Sequence, residues 1–113
     1  MKPYLDVSVE FLSKSKDFKA RNFYLNGGNS YGRGYSPHFR VIGDSEYLGV
    51  EFIEGPDRLV EQGELVNAKV LLMYYPNVSY EKLIKGQKFE ILEGAIVVGT
   101  GYVVSEMNFG EFF

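Results

Sequence analysis

Apolar and polar residues alternate near the start of the chain, where Leu5, Val7, Val9 and Phe11 interleave with Asp6, Ser8 and Glu10. A period of two turns one face of a strand into a core and the other toward water. The alternation returns in Phe39/Val41, Leu48/Val50/Phe52, Val66/Ala68/Val70/Leu72, Phe89/Ile91 and from Ile96 to Val104, so the pattern predicts six strands. Breaker residues fall between them: Gly43-Asp44, Gly55-Pro56-Asp57, Gln62-Gly63, Pro76-Asn77, Lys85-Gly86 and Glu93-Gly94. Such short connections favour antiparallel neighbours. Only Ser79 to Ile84 admits a helix, and a single turn is marginal without tertiary support.

Six antiparallel strands left open expose two edges, and closing them into a barrel removes both. An all-β barrel is therefore predicted, with a flat sandwich as the alternative. Gly99 and Gly101, two apart on the last strand, suit a barrel because they let the strand bend or let another backbone approach. The segment from Ser13 to Pro37 differs in kind. It sets Lys14, Lys16, Lys19, Arg21 and Arg33 among four glycines, and reads as a long loop with a small hairpin at Phe23-Tyr24-Leu25 before Asn26-Gly27. Long connections in compact domains are often functional, so a binding site is sought there first. The stretch from Glu51 to Glu64 is acidic, with Arg58 as its single cation.

At 113 residues, 45% of them apolar, the chain forms one domain, with the barrel over about 5–105 and an aromatic tail over 106–113. Three Phe among the last five residues are expected to pack back on the barrel or to form a partner patch. There is no Cys and a single His, His38, which excludes disulfides, thiolate metal sites and a multi-His metal site. No stretch approaches the ~20 apolar residues that span a bilayer, and the N-terminus lacks the apolar run of a signal peptide, so cytoplasmic residence is expected. The net charge of -3 speaks against nonspecific nucleic-acid binding.

No motif for catalysis or for a cofactor stands out. His38, between Pro37 and Phe39, has no second His, Cys or adjacent carboxylate in sequence and reads as a strand-end or surface histidine. No Gly-x-Ser-x-Gly elbow positions a nucleophile, and the glycines at 27–28 and 32–34 are followed by no Gly-Lys-Ser/Thr, so neither acyl transfer nor GTP binding is expected. Tyr31-Gly32-Arg33-Gly34-Tyr35 interleaves an arginine with aromatics, a combination that stacks on single-stranded bases or anchors a protein contact. Protein contact ranks above RNA, and the plain alternative is that Tyr35 plugs the end of the barrel.

Gly34-Tyr35-Ser36-Pro37-His38-Phe39 resembles the Gly-Tyr-x-Pro-x-Phe strand opening of the third domain of bacterial elongation factor Tu. Further segments fall in the same order. Val7 to Ser15 is similar to that domain's first strand and its Leu-Ser-Lys exit, and Val60 to Leu72 to its turn and following strand. The run from Gly86 to Gly94 is similar to Gly-x-x-Phe-x-x-Arg-Glu-Gly, and Val98 to Val104 to the closing strand Val-Gly-x-Gly-x-Val. The resemblance implies a six-stranded antiparallel Greek-key barrel that, in the elongation factor, packs on a GTPase domain and touches the T-stem of aminoacyl-tRNA. Two arginines of the family pattern are replaced here by Ser36 and Leu92, whereas Glu93 and Gly94 are kept.

Together these readings predict a bacterial, noncatalytic binding module for another protein, with the translation machinery as the first partner class. The binding residues expected are Arg21, Tyr31, Arg33, Tyr35, His38 and Glu93. Two alternatives remain open: an immunity-type protein that caps a toxin, and an RNA-binding module in which Lys14 to Arg33 form one basic patch.

Overall fold

The computed structural model describes residues 2–12, 25, 34–58 and 60–110. Each alternating run is a strand: β1 (Tyr4–Phe11), β2 (His38–Val41), β3 (Leu48–Glu54), β4 (Val66–Leu72), β5 (Lys88–Glu93) and β6 (Ile96–Val103). They close into a barrel in the order β1-β4-β3-β2-β5-β6, with every neighbour antiparallel. Strands β2, β3 and β4 form a meander and β5 returns beside β2, which is a Greek key. Closure of β6 onto β1, with Val7 opposite Val103 and Phe11 opposite Gly99, decides for the barrel over the flat sandwich.

The inward residues of the sequence pattern fill the interior. Leu5, Val7, Val9, Phe11, Phe39, Val50, Phe52, Val70, Leu72, Phe89 and Ile91 are all fully buried. Aromatic rings run through this core: Phe39 stacks on Phe89 at 3.9 Å and meets Phe52 edge-on at 6.0 Å, and Phe52 in turn packs on Phe11 and Tyr35. Space for the rings comes from β6. A Cβ on Gly101 would stand 2.4 Å from the Ser8 carbonyl oxygen and 2.9 Å from the Phe89 ring, and one on Gly99 2.6 Å from the Glu10 carbonyl oxygen. The two glycines thus let β6 lie against β1 and make room for large side chains opposite.

The predicted breakers sit in the connections. Gly94 opens the two-residue link between β5 and β6 with φ +59°, the conformation that the first position of a II′ hairpin demands. Among the described residues there is no helix, and the 79–84 stretch forms turns instead, with the Leu83 N–H donating to the Tyr80 carbonyl. Tyr80 is buried and its hydroxyl is bonded elsewhere in the barrel, so that segment is shaped by tertiary contacts. Leu25 is also fully buried, against Gly55, and the rest of the small hairpin expected around it lies outside the described residues. The tail folds back as far as it is described: Asn108 and Tyr4 exchange two backbone hydrogen bonds of 2.9 Å, and Phe109, half exposed, meets Tyr75 edge-on at 5.5 Å.

Candidate functional site

The segment 34–38 extends β2 and lies against β3: the Phe52 N–H donates to the Tyr35 carbonyl at 2.8 Å and the Val50 N–H to the Pro37 carbonyl at 3.1 Å. This register sets alternate side chains on opposite faces. Tyr35, Pro37 and Phe39 turn inward, whereas Ser36 and His38 face out beside Glu51 and Gly49. Gly34 has no room for a side chain, because a Cβ would stand 2.2 Å from the Phe52 carbonyl oxygen, and its N–H donates to Glu51 Oε2 at 3.0 Å.

Tyr35 works in two places at once. Its ring stacks on Phe52 at 5.6 Å and tilts against Phe11 at 6.0 Å, which ties it to the barrel end, and its hydroxyl donates to Glu93 Oε2 at 2.6 Å. The plug expected from the plain reading of Tyr35 is therefore present, with a polar end held at the surface. Tyr35, His38 and Glu93 line one shallow cleft of about 460 Å³ on the β5 side of the segment. Three of the six residues singled out in the sequence thus come together, and Arg21, Tyr31 and Arg33 lie outside the described residues.

A second cleft, about 420 Å³, opens on the β3–β4 side of the same segment. Its origin is a glycine on the outer face of a strand. Gly49 sits between His38 on β2 and Met73 just past β4, whose N–H donates to the Gly49 carbonyl at 3.2 Å, and its missing side chain leaves a hollow. The Tyr74 ring lies over that hollow, so close that a Cβ on Gly49 would be 2.3 Å from Tyr74 Cε2. Tyr80 fixes both parts: its hydroxyl accepts from the Tyr74 N–H at 3.0 Å and donates to the Gly49 carbonyl at 2.6 Å. Burial pushes the Tyr80 phenol above its ordinary pKa, so it stays a neutral donor. Tyr74 remains half exposed, and Glu51, Ser36 and His38 stand around it. Sequence reading singled out neither Tyr74 nor Gly49, and took Glu51 only as the start of an acidic stretch.

Beyond His38 the outer face continues with Tyr47, whose ring lies 5.8 Å from the imidazole. Arg40 lies over the same ring, 5.6 Å from its centre, and donates to Glu90 at 2.8 Å. The Glu90 carboxylate holds the guanidinium above its ordinary pKa. On the β1–β4 side Lys69 repeats the arrangement, 5.4 Å over the Tyr4 ring and 2.6 Å from Asp6.

The chain has 15 Asp and Glu against 12 Lys and Arg. Five of those cations, Lys14, Lys16, Lys19, Arg21 and Arg33, lie outside the described residues. Among the described residues, no group of three His, Asp or Glu side chains is placed to hold a metal ion, and no helix is long and apolar enough to cross a membrane. No protein-family model matches the chain, and no curated protein matches its sequence.

Proposed function

We propose that this barrel is a noncatalytic protein-binding module whose contact surface is the outer face on both sides of the 34–38 segment. The observation that carries this reading is the half-exposed Tyr74 ring, which lines the cleft on the β3–β4 side of that segment and whose backbone N–H is held by the Tyr80 hydroxyl. Rigid, partly exposed tyrosines contribute large contact area at small entropy cost and are enriched among the residues that dominate interface energetics. His38 and Tyr47 extend that surface. The resemblance to the elongation factor barrel makes the translation machinery of the cytoplasm the first partner class. The net charge of -3 favours a protein partner over RNA, since phosphate binding depends on cations. It also supports the immunity-type reading, in which the barrel caps a basic enzyme surface, as the second choice.

The test is quantitative affinity capture from lysate with the tagged chain and with its His38→Ala and Tyr74→Ala variants, each shown by circular dichroism to keep its β-spectrum. A specific protein partner is expected with the unaltered chain, its recovery reduced about tenfold or more by Tyr74→Ala. Equal recovery with all three proteins, or recovery that nuclease treatment abolishes, contradicts the reading.

A further inference from the structure

We infer that the cleft over Gly49 receives an arginine or lysine side chain, so that the partner presents a basic segment to this face. The inference rests on the protein-binding reading above and adds the chemistry of the partner.

The barrel itself shows how it holds a cation. Arg40 lies between the Glu90 carboxylate and the Tyr47 ring, and Lys69 between the Asp6 carboxylate and the Tyr4 ring. In each case a carboxylate supplies the charge-assisted hydrogen bond and a tyrosine face supplies the quadrupole that attracts a cation. The Gly49 cleft has the same pair in Glu51 and Tyr74, and among the described residues no Lys or Arg lines it. At about 420 Å³ it exceeds by far the ~30 Å³ share of one water molecule, and it is open enough for a long side chain to enter. The Gly34 N–H occupies one acceptor position of Glu51 at 3.0 Å and orients the carboxylate, which as an anion offers about four. Met73 and Pro37 give the apolar stem of a lysine or arginine something to lie against. The chain's net charge of -3 favours the approach of a basic segment.

The experiment is fluorescence anisotropy of the full chain with a fluorescein-labelled peptide carrying two arginines, and with its twin in which citrulline replaces both. The arginine peptide is expected to bind and the citrulline twin about tenfold more weakly. Glu51→Gln and Tyr74→Ala are each expected to weaken the arginine peptide about tenfold, whereas Tyr74→Phe, which keeps the ring, stays within about threefold. Glu10→Gln makes the same charge change on β1, beyond β4 from the cleft, and is expected to leave binding unchanged. Equal loss in Glu51→Gln and Glu10→Gln would mean general acidity alone and would overturn the inference, as would full binding by Tyr74→Ala. Tighter binding after Arg33→Gln would give the cleft to the chain's own arginine and overturn it too. If a lysate partner is lost with Tyr74→Ala but retained with Glu51→Gln, the protein-binding reading stands and the cation chemistry falls.

Discussion

Glycine does opposite work on the two sides of this barrel. Gly99 and Gly101 face inward on β6, where a side chain would meet backbone oxygens of β1 at 2.4–2.6 Å, and their absence of bulk lets β1 and β6 close around Phe11, Phe89 and Ile91. Gly49 faces outward on β3, where the nearest atoms a Cβ would meet belong to the ring of Tyr74. Backbone in a barrel cannot move aside, but an exposed ring can. The inner pair therefore serves the fold and the outer one serves the surface, and mutations at the two should separate stability from binding.

The largest effect is expected at Gly101→Ala, which forces a carbonyl and a core ring apart and should cost on the order of 3 kcal/mol of stability in urea denaturation. A loss below about 0.5 kcal/mol would show that the β1–β6 contact gives way easily and would blur the contrast. Tyr80→Phe comes next. It removes the hydroxyl that joins the Gly49 carbonyl to the Tyr74 N–H, and leaving the Tyr74 N–H unpaired should cost about 1–3 kcal/mol in the same measurement while loosening Tyr74. Gly49→Ala should change stability by less than about 1 kcal/mol, because a ring swings out and alanine suits a strand better than glycine.

The smallest effect is electrostatic. Hydrogen bonds from the Arg58 guanidinium and then from the Glu61 N–H hold the Glu64 carboxyl at about 2, and Lys82, at 2.5 Å, lowers that of Asp44 with help from the backbone of Ser45 and Glu46. Carboxyls depressed in the folded state bind fewer protons there than in the unfolded chain, whose values are about 4. Their contribution is thus full above about pH 5 and is lost as the pH falls toward 2. Thermal melts between pH 7 and pH 3 should show a modest decline that Glu64→Gln reduces and that high salt weakens, since these pairs stand at the surface.

The strands were legible because alternation is written residue by residue: Val66/Ala68/Val70/Leu72 names the inner face of β4 directly, and Leu5 to Phe11 that of β1. The inner glycines were legible too, as two gaps on one face of a recognisable strand. The cleft was not. Gly49 looks like any strand glycine until three-strand register sets it between His38 and Met73, and Tyr74 is steered there by a hydroxyl six residues onward. Tyr35 and Glu93, 58 positions apart, came into view together only through the resemblance of their separate motifs, and the hydrogen bond between them is a product of the closed barrel.

The claim that the outer glycine makes a binding surface is tested most directly by titrating the labelled diarginine peptide against Gly49→Ala. With the methyl displacing the Tyr74 ring, the account predicts an affinity about tenfold lower in a protein that melts within a few degrees of the parent. Unchanged affinity in that folded variant would contradict it.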